Sequence, residues 1–135
     1  MLLLDTHVAV WLVDGLPRLR PAARRAIDRA AARGRLIISA ISFWEVALLA
    51  RRDRLALTMP ALDWRRAVLA LPGLTEAPVS SEIAIEAISL PDPFHADPAD
   101  RFIVATARLE GARLVTYDRR ILDYGRAGHV QIAAP

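Results

Sequence analysis

Leu2-Leu3-Leu4-Asp5 and Leu114-Val115-Thr116-Tyr117-Asp118 share one pattern, an apolar run followed at once by an aspartate. Short apolar runs of this kind are typical of buried β-strands, so we predict strands over residues 2–4 and 114–117. A third run, residues 36–40, predicts another buried strand. Longer helical patterns separate these runs, and strands that alternate with helices favour a parallel sheet with helices on both faces. The sequence therefore predicts an α/β domain.

The helical patterns cover residues 7–13, 21–33, 41–52, 63–71, 81–89 and 98–110. Gly111 follows the last of these segments, and a glycine there commonly ends a helix. Residues 74–79 and 130–133 are weaker strand candidates. Residues 90–98 contain three prolines and predict a loop that leads into the helix over 98–110.

The composition is that of one compact domain. The chain has 135 residues, a net charge of +3 and 54% hydrophobic side chains, so we expect a single domain over residues 1–135. It has no cysteine, which excludes thiol catalysis and cysteine-bound metal centres. The N-terminal pattern is not that of a signal peptide, and the longest apolar run, residues 36–50, is shorter than the ~20 residues that span a bilayer. We therefore expect a cytoplasmic protein that does not enter the membrane.

All 18 basic residues are arginines, and the chain contains neither lysine nor asparagine. Guanidinium groups match phosphate oxygens well, so an arginine-rich surface is compatible with nucleic-acid binding. A GC-rich genome explains the same bias, because every lysine and asparagine codon begins with two adenines. The composition therefore permits nucleic-acid binding but does not require it.

Two aspartates follow predicted strands directly. The carboxyl ends of parallel strands share one edge of a sheet, where ligand crevices form, so Asp5 and Asp118 should lie close together. Each could also act as the N-cap of the helix that follows, since aspartate is a preferred cap. The two interpretations remain open for both residues.

Glu45 lies in the middle of a helix that is apolar on nearly every side. An ionised glutamate in such a place needs either an ion-pair partner or a cation. One interpretation is a buried ion pair with an arginine. The other is that Glu45 faces the same crevice as Asp5 and Asp118, since it lies about one turn beyond the second strand.

A further acidic pair occurs in Asp97-Pro98-Ala99-Asp100-Arg101. Asp97 followed by proline is typical of a helix start, with Asp97 as the cap. Asp100 then falls in the first turn, from which it can reach the strand ends. Carboxylates that converge in one crevice repel each other unless a cation lies between them, and oxygen ligands alone select Mg²⁺ or Mn²⁺ over zinc.

The motifs Leu4-Asp5-Thr6-His7, Phe43-Trp44-Glu45, Asp97-Pro98-Ala99-Asp100-Arg101 and Val115-Thr116-Tyr117-Asp118, taken in this order, resemble those of PIN-domain ribonucleases. More narrowly, they are similar to the toxins of VapBC-type toxin–antitoxin pairs. The resemblance covers nearly the whole chain. It implies a three-layer α/β/α domain with a parallel sheet, Mg²⁺-dependent endoribonuclease activity, homodimerisation, and inhibition by a small antitoxin that covers the active site.

Residue by residue, the resemblance assigns the metal-binding acidic quartet to Asp5, Glu45, Asp100 and Asp118. It makes Thr116 the hydroxyl residue that orients the catalytic site near the metal. Asp97 would lie behind the ligands or serve only as a helix cap.

Four further residues are candidate substrate contacts: Thr6, Arg101, Arg119 and Arg120. Thr6 could instead cap the first helix, and Arg101 could instead form an ion pair. Arg119 and Arg120 qualify because they lie beside Asp118 at the crevice edge. We expect structural roles for the histidines, His7, His95 and His129, and core or interface roles for the tryptophans.

The favoured function is an endoribonuclease in which a metal-activated water cleaves RNA and leaves a 3′-hydroxyl and a 5′-phosphate. The alternative is a non-catalytic binding module whose acidic pocket receives a basic residue of a protein partner. A phosphoryl-accepting domain with Asp5 as nucleophile would need a lysine, which this chain lacks. Apolar helix surface over residues 47–57, with Leu62 and Trp64, could be a dimer interface or simply core.

Overall fold

The computed structural model describes residues 1–15 and 18–133. The described residues form four strands, β1 (Leu2–Leu4), β2 (Leu36–Ser39), β3 (Leu74–Ala77) and β4 (Arg113–Val115). They also form seven helices: α1 (Thr6–Asp14), α2 (Pro21–Ala32), α3 (Ile41–Arg51), α4 (Ala61–Leu69), α5 (Ser81–Ser89), α6 (Pro98–Glu110) and α7 (Arg119–Arg126).

The four strands form one parallel sheet in the order β3-β2-β1-β4. The register aligns the centres of the strands, with Leu3 of β1 opposite Ile37 of β2 and Leu114 of β4. All carboxyl ends of the strands therefore lie along one edge, and β1 lies inside the sheet.

Two apolar layers cover the two faces of the sheet, because alternate strand residues point in opposite directions. Leu2 and Leu4 point to a layer formed mainly by helices α1 to α4, with Trp64 at its centre. Leu3 points to the opposite layer, which contains Ile103 of α6 and Ile121 of α7. Helix α5 packs on α6 through Ile83 and Ala87. This arrangement confirms the predicted three-layer α/β/α fold.

Most predicted elements are present, with shifted ends. The weaker strand candidate over residues 74–79 is a strand, β3, whereas residues 130–133 make only an isolated parallel bridge between Ile132 and Leu114. Helix α4 begins two residues before its predicted start. Gly111 ends α6 with φ of 62°, in the left-handed region that glycine adopts without strain.

Helix α7 is absent from the sequence prediction. It has eight residues, contains Gly125 and buries only Ile121 and Tyr124, so its apolar pattern is short. What starts it is Asp118, whose carboxylate caps the helix. The cap, rather than hydrophobic periodicity, is the signal in this segment.

The apolar surface predicted around residues 47–57, with Leu62 and Trp64, is divided between the core and the exterior. Trp64 is fully buried and meets the ring of Phe43 edge to face, with the centroids 5.7 Å apart. Leu55 and Leu57 pack against the same layer, whereas Leu62 is 70% exposed. No helix in the described part of the chain is long and apolar enough to cross a membrane.

Replacing Trp64 should measure how much of the stability depends on this layer. Trp64→Ala removes a completely buried indole, so we expect the free energy of unfolding to fall by about 3–5 kcal/mol. Trp44→Ala is the matched control, because Trp44 is 49% exposed and should cost less than about 1 kcal/mol. Urea denaturation followed by circular dichroism measures both. Equal losses in the two variants would contradict the placement of Trp64.

Candidate metal centre

Asp5 and Asp118 lie at the carboxyl edge of the sheet and also cap helices. Oδ1 of Asp5 accepts a hydrogen bond of 2.8 Å from the backbone N–H of Thr6, at the start of α1. Oδ1 of Asp118 accepts bonds of 2.9 and 3.2 Å from the N–H groups of Arg120 and Ile121. Each cap uses Oδ1, and Oδ2 has further lone pairs beyond its contact with Thr116 in Asp5 or Arg120 in Asp118. Capping and cation binding are therefore compatible in both residues.

Thr116 joins these two aspartates. Its hydroxyl donates a 2.6 Å hydrogen bond to Oδ2 of Asp5 and accepts a 3.0 Å bond from the backbone N–H of Asp118. Thr116 is completely buried. It therefore fixes the orientation of the Asp5 carboxylate and the start of α7 with one side chain.

Glu45 reaches this edge from α3 and is half-buried. One carboxylate oxygen each from Glu45, Asp97 and Asp100 lie within 4.8 Å of one another. No arginine or histidine in the described ranges lies within 4.0 Å of the Glu45 carboxylate. The buried ion pair that the sequence left open is thus not the arrangement found, and Glu45 faces other acids instead.

The first turn of α6 brings in Asp97 and Asp100. Asp97 caps the helix by accepting a 3.1 Å hydrogen bond from the backbone N–H of Asp100. Asp97 is exposed, whereas Asp100 is only 7% exposed. Oδ2 of Asp100 lies 2.6 Å from Nε2 of His95 and 3.7 Å from the guanidinium of Arg120.

The pKa values of Asp5, Glu45 and Asp100 are raised because these acids are buried and lie near other carboxylates. The pKa of Asp100 is raised to about 7, chiefly by burial and in addition by the charges of Asp5, Asp97 and Asp118. Burial likewise raises the pKa of Glu45 to about 7; the charges of Asp5, Asp100 and Asp97 contribute to the rise, and the Thr6 side chain opposes it. Burial also raises the pKa of Asp5, although the hydrogen bond from Thr116 opposes that rise. Without a cation, holding these groups ionised together is unfavourable.

Of the other predicted site residues, Arg120 lies at the acidic centre, whereas Arg119 lies outside it and Thr6 is buried. Arg120 lies at the centre, 3.5 Å from Oδ2 of Asp118. Arg119, the next residue, lines a separate groove on the outer side of α7. Thr6 is completely buried and donates to the hydroxyl of Ser42, so it ties α1 to α3 and is out of reach of a substrate. It does not cap α1 either, because Asp5 does.

Arg101 forms no ion pair within the ranges described. Its guanidinium donates to the carbonyl oxygens of Ala87, Phe94 and His95, at 2.8–3.2 Å. These three bonds hold the loop before α6 in place. Its geometry favours a structural role over a contact with phosphate.

His95 is the site residue that sequence reasoning missed. It is held against Asp100, and burial lowers its pKa, which favours the neutral imidazole. The only signal in the sequence was its position five residues before Asp100, on the loop that leads into α6. That spacing alone does not distinguish it from a structural histidine.

The donor set fits a hard divalent cation. Carboxylates from the β1–α1 junction, α3, α6 and the β4–α7 junction supply only oxygen, which suits Mg²⁺ or Mn²⁺. Arg120 is the one arginine of the described residues that forms an ion pair with these acids, and its side chain is 60% exposed. One exposed guanidinium does not neutralise five neighbouring carboxylates.

The fold and this acidic edge define a PIN domain. Residues 2–127 match the PIN-domain family, so the chain belongs to that family. It is 41% identical over 119 residues to the ribonuclease VapC22 of Mycobacterium tuberculosis, with 88% of each chain covered.

Solved structures show the same fold at low sequence identity. VapBC2 from Rickettsia felis, bound to a promoter DNA fragment, matches with a TM-score of 0.70, 17% identity and coverage of 98% and 96% of the two chains. FitAcB from Neisseria gonorrhoeae matches with a TM-score of 0.67, 19% identity and coverage of 98% and 97%. At these identities the likeness establishes the architecture alone.

The raised pKa values predict that the metal-free protein is less stable at high pH. The folded pKa of about 7 for Asp100 exceeds its ordinary value of 3.8, so between those pH values the folded protein binds more protons than the unfolded chain. Its free energy of unfolding should therefore fall as pH rises from about 4 to 7. Asp100→Asn should raise that free energy by about 1–2 kcal/mol at pH 8 in EDTA, and have little effect at pH 4.5.

Urea denaturation at the two pH values measures this difference. Asp28→Asn is the control, because Asp28 pairs with Arg24 on the surface of α2 and is 64% exposed. Its replacement should change stability by less than about 0.5 kcal/mol at either pH. A stabilisation by Asp100→Asn that is the same at both pH values would contradict the assignment of repulsion to this centre.

Proposed function

We propose that the protein is a metal-dependent endoribonuclease and the toxin of a toxin–antitoxin pair. The observation that carries the proposal is the group of acids at the carboxyl edge of the sheet. Carboxylate oxygens of Glu45, Asp97 and Asp100 lie within 4.8 Å of one another, and Asp5 and Asp118 lie close enough to raise the pKa of Asp100. Asp5, Glu45, Asp100 and Asp118 would hold Mg²⁺, with Mn²⁺ as a substitute, and Asp97 would support them from the start of α6. A divalent cation at this edge supplies an activated water and neutralises charge on the phosphate that is attacked.

The chain's own residues supply orientation and charge. Thr116 fixes the Asp5 carboxylate through its 2.6 Å hydrogen bond, and His95 fixes that of Asp100. Arg120 has an exposed guanidinium beside Asp100 and Asp118, where it can bind a non-bridging phosphate oxygen of RNA. The carboxylates would thus bind the cation while Arg120 orients the strand to be cut.

Similarity supports the choice of RNA and of an antitoxin partner. The relative with 41% identity is named a ribonuclease. One solved neighbour is a toxin–antitoxin complex from Klebsiella pneumoniae, and two others are VapBC proteins bound to DNA. We assign this chain a small antitoxin that covers the acidic centre, a cytoplasmic location, and a single nuclease domain over residues 1–135.

A second candidate function is a binding module without catalysis. The arrangement of Arg120 favours it, because the acidic centre already receives a guanidinium at 3.5 and 3.7 Å. A basic residue from a partner protein would fit the same acids. The two functions differ in whether a divalent cation is required.

Cleavage of RNA by the protein freed of any partner tests the proposal. With Mg²⁺, total cellular RNA should acquire discrete new ends, and EDTA should abolish them. Asp5→Asn and Asp100→Asn should each lower the cleavage rate by at least about 100-fold, because each removes a ligand that stabilises the transition state. Sequencing of the new ends identifies the substrate.

Asp28→Asn is again the matched control and should cleave like the unsubstituted protein. Full activity in both Asp5→Asn and Asp100→Asn would exclude the nuclease mechanism. Absence of cleavage together with absence of Mg²⁺ binding would favour the binding module.

A homodimer is also part of the proposal, through α5 rather than the surface predicted from sequence. Ile85 and Ile88 lie three residues apart on α5 and are 68% and 80% exposed. An apolar stripe of this kind can pair with itself across a two-fold axis. A second copy of the chain is the occupant that we assign to it.

Sedimentation equilibrium of variants distinguishes an interface on α5 from one on the surface that contains Leu62. Ile85→Glu with Ile88→Glu should convert a dimer into a monomer, since it places four like charges at the interface. Leu62→Glu alters the exposed apolar residue of the surface predicted from sequence and should leave the dimer intact. Dissociation by Leu62→Glu alone would assign the interface to α4.

A further inference from the structure

A second basic feature lies on the outer side of α7. It is a groove of about 510 Å³, which we call the outer groove, and it is lined by Arg20, Tyr117, Arg119, Leu122, Asp123 and Arg126. None of these residues belongs to the acidic quartet. The metal centre therefore does not account for the groove.

The outer groove begins next to the metal centre. Tyr117 and Arg119 are the residues on either side of Asp118, and both face the groove. Arg120, one residue further along α7, instead approaches Asp100 and Asp118. The start of α7 thus separates two neighbouring basic positions, one at the metal centre and one in the groove. An RNA strand bound at the metal centre can therefore continue into the outer groove.

The groove carries a positive charge that the described residues only partly neutralise. Arg126 pairs with Asp123 on the same helix. Neither Arg20 nor Arg119 has a carboxylate within 4.0 Å among the residues described. Two guanidinium groups are left to bind an anion, and each offers a fork of N–H donors that matches phosphate.

One of these guanidinium groups lies over an aromatic ring. The backbone N–H of Arg20 donates a 3.1 Å hydrogen bond to the hydroxyl of Tyr117, and its guanidinium lies 5.9 Å from the centre of the same ring. The ring of Trp11 lies 5.5 Å from that of Tyr117 and carries Arg18 in a similar position, at 5.7 Å. A guanidinium held over an aromatic ring loses less entropy when it binds phosphate.

We propose that the outer groove binds backbone phosphate of the RNA strand beside the scissile bond, through Arg20 and Arg119. Tyr117 acts as a positioning residue that holds Arg20 in place. The proposal rests on the ribonuclease function proposed above and assigns where its substrate continues. A single strand is the favoured ligand because aromatic rings interleaved with arginines are typical of surfaces that bind one.

Salt-dependent binding of a labelled oligoribonucleotide tests the proposal. The probe is a 12-nucleotide RNA of mixed sequence, and the protein carries Asp100→Asn so that the probe stays intact. In that background, Arg20→Gln with Arg119→Gln should weaken binding roughly tenfold at 50 mM KCl. The slope of log affinity against log salt should fall by about 1.4, or ~0.7 for each lost phosphate contact.

The matched control removes two exposed arginines from the opposite side of the molecule. Arg29 and Arg33 line a separate pocket with Arg113, which begins β4 at the amino edge of the sheet. Arg29→Gln with Arg33→Gln changes the net charge equally and should leave the salt slope unchanged. In the nuclease without Asp100→Asn, the outer-groove pair should raise KM several-fold and leave kcat within about twofold, because neither arginine touches the reacting atoms.

The outcomes separate the two proposals. An unchanged salt slope and KM in the outer-groove pair, with cleavage by the unsubstituted protein intact, would overturn this inference alone and leave the groove to a protein partner. Equal effects of the two double variants would also overturn it, because they would reflect net charge only. Failure of the unsubstituted protein to cleave or bind RNA would remove the ribonuclease function and this inference with it.

Discussion

Mutual repulsion among buried carboxylates is the constraint on which the functional part of this structure depends. Asp5, Glu45 and Asp100 come from three separate elements. Each has a raised pKa, chiefly because it is buried and in addition because other carboxylates of this edge lie nearby. A fold gains nothing in stability from such an arrangement. It becomes favourable when a hard cation binds, and the carboxylates that destabilise the metal-free protein are those that bind the cation most strongly.

The parallel sheet holds these carboxylates close together despite their repulsion. Strands β1 and β4 end side by side, so Asp5 and Asp118 meet at one edge, and the Thr116 hydroxyl joins them. Each of these aspartates, like Asp97, also caps a helix. Capping donates N–H groups to one carboxylate oxygen and fixes the side chain, so the same residues start the helices and orient the ligands.

The sequence predicted the sheet, the helices on both faces and the acidic edge, because apolar runs and helix starts are local signals. It also left two interpretations open for Asp5, and the structure shows that cap and site coincide. It could not predict the contact of His95 with Asp100 or the different directions of Arg119 and Arg120, since both depend on how α6 and α7 pack. Helix α7 was missed, and the burial of Trp64 stayed open between core and interface, because tertiary packing decides both.

Calorimetric titration of the metal-free protein with Mg²⁺ at pH 7, in buffers of different ionisation enthalpy, tests the central claim most directly. Glu45 and Asp100 both have a pKa of about 7. Each is therefore about half protonated, and binding should release about one proton per protein molecule. Asp100→Asn should abolish or greatly weaken that binding. Absence of Mg²⁺ binding at millimolar concentrations, or binding that releases no proton and is unaffected by Asp100→Asn, would contradict the claim that these carboxylates form a cation site.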